Sequence, residues 1–163
     1  MAVRILVADD HEIVRQGIRT ILRDHPEWEV CDEAVNGVDA VKKARELKPD
    51  LVIMDMTMPG MSGMEATREI TKVDPAQKVL MFTMHESKSL SDAVLRAGAS
   101  GYVFKSRAAR DLILAIEIVL GGGIFFRPDT LSDTQTDTQK SANGRSSTSG
   151  TVLYCARLNP AHS

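Results

Sequence analysis

A chain of 163 residues with a formal net charge of -2 is long enough to bury its own core without disulfides or structural metals, and it carries no surplus of positive charge to grip a phosphate backbone. Its cysteines, Cys31 and Cys155, lack metal-ligand spacing and are too few for a disulfide framework, and no run of roughly 18 apolar residues could span a bilayer. Secreted disulfide scaffolds, helical membrane proteins and strongly basic nucleic-acid binders are thereby excluded, and a soluble cytoplasmic protein is expected.

From residue 3 to about residue 120, short β-branched runs alternate with longer segments of helical period. That pattern predicts an α/β fold, a parallel sheet covered by helices on both faces. Val3 to Ala8 reads as a first strand, and Ile13, Val14, Gly17, Ile18, Ile21 and Leu22 then recur at helical spacing until His25-Pro26 stops the helix. Glu29 to Ala34 is a second, less apolar strand. Asn36 caps the next helix, which runs to Pro49, and Leu51-Val52-Ile53-Met54 is a third strand so apolar that it belongs at the centre of the sheet. After a loop with Pro59-Gly60 and Ser62-Gly63 come a helix to about Val73, a strand from Val79 to Phe82, a helix from Ser89 to Ala97, a strand from Tyr102 to Phe104 and a helix from Ala108 to Leu120. Gly121-Gly122-Gly123 ends that last helix. The organisation expected is one domain over residues 1–122, followed by a linker and a disordered or non-native tail over 123–163, because beyond Pro128 the composition turns to Ser, Thr, Asp, Gln and Gly.

In an open parallel sheet, ligands bind beyond the carboxyl ends of the strands, where the strand order reverses. Here Asp9 and Asp10 end the first strand, Asp55 the third, Thr83 the fourth and Lys105 the fifth. Carboxylates crowded at one edge repel one another unless a hard divalent cation neutralises them, and Mg2+ held by carboxylates, a backbone carbonyl and waters suits such a set. Asp55 is placed to attack phosphorus and form an acyl phosphate, a reaction that needs charge cancellation more than a strong base. Asp9 and Asp10 would hold the metal, Asp10 the more directly, with the carbonyl of Thr57 as a further ligand. Lys105 would bring a point charge to the phosphate and Thr83 a hydroxyl donor.

The segments Val7-Ala8-Asp9-Asp10-His11, Val52 to Gly60, Met81-Phe82-Thr83-Met84-His85 and Val103-Phe104-Lys105 resemble the response regulator receiver family, over residues 3 to about 120. Asn36-Gly37, Thr83-Met84-His85 and Gly121 to Phe126 are most similar to its NarL/FixJ (LuxR-type) subfamily, whose members are transcription factors with a helix-turn-helix output domain after the receiver. The resemblance implies a flavodoxin-like (βα)5 doubly wound sheet of strand order 2-1-3-4-5 and a sensor histidine kinase as phosphoryl donor. It also implies that no enzymatic activity exists beyond self-phosphorylation and slow self-dephosphorylation. Phosphorylation is expected to draw Thr83 inward, with Tyr102 following, and so to alter the face made by the fourth helix, fifth strand and fifth helix.

Two features depart from the family pattern. Many receivers follow the lysine with a proline, often in cis, whereas Ser106 stands here, and a cis bond before a non-proline residue costs about 3–4 kcal/mol, so the backbone at this point is left open. Residues 129–163 show no amphipathic helix pair and no basic recognition helix, so DNA would be reached only through an output domain not visible in this chain.

Each site residue also has a plain structural reading: Asp9-Asp10 and Thr83 as helix caps, Asp55 as a turn residue, Lys105 as a solvated strand end. Their joint placement at strand ends is what favours chemistry. His11 and His85 lack the fixed partners of a metal site and receive no role, and the methionines around residues 54–64 read as adaptable packing. In the last helix Leu112, Ile113, Leu114, Ile116, Ile118, Val119 and Leu120 surround almost the whole circumference, more than one sheet face requires. A homodimer is therefore expected through this helix, at Ile113, Ile116 and Leu120, or through the face of the fourth helix, fifth strand and fifth helix. Two other functions compete. One is a stand-alone receiver or phosphorelay protein. The other is a phosphatase of the haloacid dehalogenase type, whose nucleophile follows the first strand rather than the third.

Overall fold

The computed structural model describes residues 2–84 and 89–126; the expected tail beyond residue 126, with His85 and Cys155, lies outside the described residues. Five strands, β1 (Val3–Ala8), β2 (Trp28–Ala34), β3 (Leu51–Asp55), β4 (Lys78–Thr83) and β5 (Tyr102–Phe104), pair in parallel in the order β2-β1-β3-β4-β5. They alternate with α1 (Glu12–Leu22), α2 (Gly37–Leu47), α3 (Gly63–Val73), α4 (Leu90–Arg96) and α5 (Ala108–Leu120). This is the doubly wound arrangement expected from the alternation of runs.

Because successive strand residues point to opposite faces, the sheet feeds two cores. Leu6, Ala8, Val52, Met54, Val79 and Met81 face α2, α3 and α4, meeting Ala40, Ala44, Ala66, Ile70 and Val94. Ile5, Val7, Leu51, Ile53, Leu80 and Phe82 face α1 and α5, meeting Ile18, Leu22, Leu112, Ala115, Ile116 and Val119. Every residue of β3 is buried, which explains its apolar sequence and its central place, whereas β2, with exposed Glu29 and Asp32, lies at the edge. Successive connections pass from β1 outward to β2 and then back across to β3, so the crevice at the reversal opens between the carboxyl ends of β1 and β3.

Side-chain caps fix the starts of α2 and α3, at Asn36 and Ser62. Asn36 accepts a hydrogen bond from the backbone N–H of Asp39 at 2.8 Å, while Asp39 Oδ2 accepts from the N–H of Val35 at 3.3 Å. Replacing Asn36 with Ala removes this cap, and a loss of about 1 kcal/mol in urea-unfolding free energy is expected.

Two sequence expectations change on the structure. First, the apolar girdle of α5 is largely consumed internally: Leu112 and Ile116 are fully buried, and Ile113, Ile118 and Leu120 are half-buried against the same core, because α5 is flanked by α1 as well as by β4 and β5. Ile116 is therefore a core residue and is withdrawn as an interface residue; Leu114 is the exposed large apolar side chain on this helix. Second, the folded unit does not stop at residue 122. Phe125 is 1% exposed, forms a parallel bridge with Gly101, donates its N–H to the carbonyl of Ser100 at 2.9 Å and accepts from the N–H of Tyr102 at 3.1 Å. Gly101 admits this strap because its φ of 145° suits glycine and because a Cβ there would lie 2.1 Å from the Phe125 carbonyl oxygen. Tyr102, expected to follow Thr83 on phosphorylation, starts from a buried position. Its ring is already buried, its hydroxyl is 3.1 Å from Ser91 Oγ, and Phe126 stands tilted against it at 5.3 Å between ring centroids.

Candidate functional site

The carboxyl ends of β1, β3 and β5 converge on a hollow of about 420 Å3 lined by Asp10, His11, Asp55, Thr57, Met58, Pro59, Met84 and Lys105. Asp9 ends β1 pointing inward, 1% exposed, and its backbone is held by its N–H to the carbonyl of Ala34 at 3.0 Å and by the Arg15 guanidinium on its own carbonyl at 2.7 Å. Asp10 is turned toward solvent, with a quarter of its side chain exposed. Asp55, at the end of the buried β3, is 4% exposed. The chain then folds back so that the N–H of Gly63 meets the carbonyl of Met56 at 2.9 Å, which packs the start of α3 directly against the strand end.

Lys105 leaves β5 and enters a single 3-10 turn over Lys105–Arg107, and no peptide among the described residues is cis. Its ammonium lies 2.9 Å from Asp9 Oδ2 and 3.1 Å from Asp55 Oδ1, above the ring of Phe82 at 5.8 Å. One cation thus spans the inner two of three carboxylates. The balance is incomplete: Asp55 Oδ2 is a buried atom without a hydrogen-bond partner, and Asp10 Oδ1 has only the His11 imidazole beside it, at 3.1 Å. Leaving charged oxygens so is costly, and a divalent cation would satisfy them, so the donor set fits a hard metal ion.

The electrostatics follow from this crowding. Burial, reinforced by the negative charge of Asp9, pushes the Asp55 carboxyl above its ordinary value of 3.8, against the opposing pull of Lys105 and the Thr57 N–H. For Lys105, burial acts to lower the ammonium's pKa, but its hydrogen bonds and charge contacts with Asp9 and Asp55 outweigh that and raise it. The sign for stability is clear. A carboxyl whose folded pKa is raised stabilises the fold most below its unfolded value, and that contribution is lost as pH rises through the folded value. The cost of ionised Asp55 therefore grows as pH rises through its folded value. In metal-free buffer, Asp55→Asn is expected to melt a few degrees above the parent at pH 7, with the gap narrowing as pH falls toward 4, measured by calorimetry.

Thr83 sits at the end of β4, fully buried, with its hydroxyl 3.7 Å from the sulfur of Met56. Thr57 lines the hollow, and its N–H reaches Asp55 Oδ1 at 3.3 Å. Asp9, Asp10, Asp55, Thr57 and Lys105 are thus brought together, with Thr83 at the end of the neighbouring strand β4. Tyr102, Ile113, Ile116 and Leu120 lie outside the lining of the hollow. His11, given no role by the sequence, also lines it, and its position directly after two strand-end acids was the signal that could have found it.

A parallel five-stranded sheet with acids at the ends of β1 and β3 and a lysine at the end of β5 defines the phosphoacceptor module of bacterial signalling. The response regulator receiver domain model matches residues 5–117, and the chain belongs to that family. Over 126 residues it is 41% identical to the response regulator GacA of Pseudomonas viridiflava, which covers 77% of this chain and 59% of GacA. It is 38% identical to the transcriptional regulatory protein DegU of Brevibacillus brevis over 126 residues, 77% of this chain and 53% of DegU. Among solved structures, a two-component response regulator of the LuxR family from Aurantimonas sp. SI85-9A1 superposes with a TM-score of 0.71 at 43% identity, over 75% of this chain and 87% of that one. The chain thus spans less than three-fifths of the length of these curated relatives. Family membership and the order of the site residues remove the phosphatase alternative.

Proposed function

We propose that this chain is the receiver of a two-component transcriptional regulator, taking a phosphoryl group on Asp55 from a sensor histidine kinase. The observation that carries this is the meeting of Asp9, Asp10, Asp55 and Lys105 in one hollow, with Asp55 Oδ2 buried and unpartnered. Asp9, Asp10, Asp55 and the carbonyl of Thr57 would hold Mg2+, which when bound supplies positive charge to the oxygens of the incoming phosphoryl group. Lys105, already 3.1 Å from Asp55, contributes the second positive charge and opposes the rise that burial imposes on the carboxyl. Asp55 attacks phosphorus in line with the departing imidazole, and no side chain need act as a strong base.

The receiver occupies the described residues through Phe126, and control of transcription passes through a DNA-binding output domain, as the names of the relatives favour. Because Tyr102 is already buried against Ser91 and Phe126, the response to phosphorylation begins at Thr83, whose hydroxyl leaves Met56 for the phosphoryl oxygens. Self-association would use the exposed apolar residues Leu95 and Leu114, with half-buried Ile113 at the margin. A stand-alone phosphorelay role is the second reading, and DNA binding by the full-length regulator separates the two.

Incubation of the full chain with Mg2+ and a small acyl phosphate is expected to add one phosphoryl mass that hydroxylamine removes and that chelation of the metal prevents. Labelling that survives hydroxylamine, or proceeds unchanged in chelator, would sink the proposal.

A further inference from the structure

His11 stands immediately before α1 with its side chain 62% exposed, yet its Nδ1 is turned toward the acids, 3.2 Å from Asp9 Oδ1 and 3.1 Å from Asp10 Oδ1. One ligand atom from each of Asp9, Asp10, His11 and Asp55 can be chosen so that all four lie within 4.8 Å of one another. Neighbouring ligands bonded to a metal at about 2.1 Å are about 3.0 Å apart in an octahedral shell and about 3.4 Å apart in a tetrahedral one. The two separations at His11 fall inside that interval, so the imidazole stands where a coordination edge would place it. Independently of the histidine, Asp55 Oδ2 is buried in the same hollow with no hydrogen bond, in a residue 4% exposed.

We infer that His11 converts this hollow into a mixed nitrogen and oxygen site that takes first-row transition ions, Zn2+ foremost, in competition with Mg2+. The inference rests on the proposal that the acids hold a divalent cation. Mg2+ is hard, prefers oxygen and keeps several waters, so an imidazole adds little to its binding. Zn2+ binds imidazole nitrogen strongly, and each added nitrogen ligand raises its affinity relative to Mg2+. The surroundings suit either ion in charge: three carboxylates face one ammonium, leaving a deficit that a divalent cation cancels. An ion gripped by His11 as well as by the acids has one coordination position fewer for a phosphoryl oxygen. Such ions therefore oppose phosphorylation of Asp55, and the receiver answers to the supply of transition metal as well as to its kinase.

Because the imidazole is exposed, His11→Gln leaves the core intact. Titration calorimetry of the full chain with ZnCl2 and with MgCl2 at one pH, for the parent, His11→Gln and Asp10→Asn, decides the matter. The expected result is that His11→Gln loses about 10- to 100-fold in Zn2+ affinity, the range typical of a single lost metal partner, while Mg2+ affinity stays within about two-fold. In the parent, Co2+ should give visible absorption of a nitrogen-containing shell that the variant lacks. His25, His85 and His162 remain in His11→Gln, so adventitious zinc at them persists there, and Zn2+ binding indifferent to His11 overturns the inference. Equal losses for both ions overturn it as well. If Mg2+ binding depends on Asp10 while Zn2+ ignores His11, only the selectivity idea fails. If Mg2+ fails to bind the parent, or binds Asp10→Asn equally well, the acidic metal site itself fails.

Discussion

Asp55→Asn is expected to abolish the hydroxylamine-labile phosphoryl label while leaving the chain folded. The amide is nearly isosteric with the carboxylate, so packing at the end of β3 is kept, but its oxygen is a poor nucleophile and carries no charge to share with Lys105 or a cation. Lys105 retains Asp9 at 2.9 Å, so no buried ammonium is stranded. Loss of label together with a melting temperature equal to or above the parent's ties the chemistry to this one group. A label that moves to another side chain would be acid-stable on Ser or Thr, and intact mass with acid treatment separates the cases. Full labelling of the variant would place the phosphoacceptor elsewhere, and Asp9 and Asp10 would be the next carboxylates to replace.

Gly63→Ala should be the most damaging small substitution near the site. A Cβ at Gly63 would lie 1.9 Å from the carbonyl oxygen of Asp55 and 2.9 Å from the Cα of Met56, both backbone atoms that no side-chain rotation can clear. Either α3 lifts off the sheet, losing the buried contacts of Ala66, Thr67 and Ile70, or the end of β3 shifts and carries Asp55 away from Lys105. Overpacking of this kind costs about 3 kcal/mol or more where the clash is with backbone. A fall in melting temperature of roughly 10 °C is expected, along with slower labelling by acyl phosphate. Gly60, whose φ is 74° and whose Cβ position is empty, is the contrasting control: Ala there meets only the left-handed backbone penalty, about 1 kcal/mol. A Gly63→Ala variant as stable as the parent would show that α3 is not seated on the strand end as described.

Much of this could be seen in the primary structure because it depends on residues that are local and periodic. The apolar block Leu51 to Met54 announced a central strand, and the polar residues that close β1, β3, β4 and β5 announced which edge would carry chemistry, since parallel strands all deliver their carboxyl ends to one rim. The misreadings concern what flanks an element rather than the element itself. Ile116 looked surplus because helical period reveals how many apolar sides a helix has, but not that α1 occupies one of them. The fold continues past residue 122 because Phe125 fills a slot beside Gly101, and three apolar residues after a glycine run are too few to show a period. His11 was passed over for want of partners, which come from Asp9 and Asp10 only once the chain turns at the end of β1. The contact of the Thr83 hydroxyl with the Met56 sulfur at 3.7 Å is a detail of packing that no spacing encodes.

The bridge between Phe125 and Gly101 also sets the heading on which the polypeptide departs. By pinning the last described residues alongside β5, at the sheet edge farthest from β2, it delivers whatever is spliced after Phe126 to the flank that holds the Ser91 and Tyr102 contact, with an aromatic ring wedged there as a fulcrum. A reorientation of Tyr102 would act on that fulcrum directly, as it would on Ser91 and Phe104.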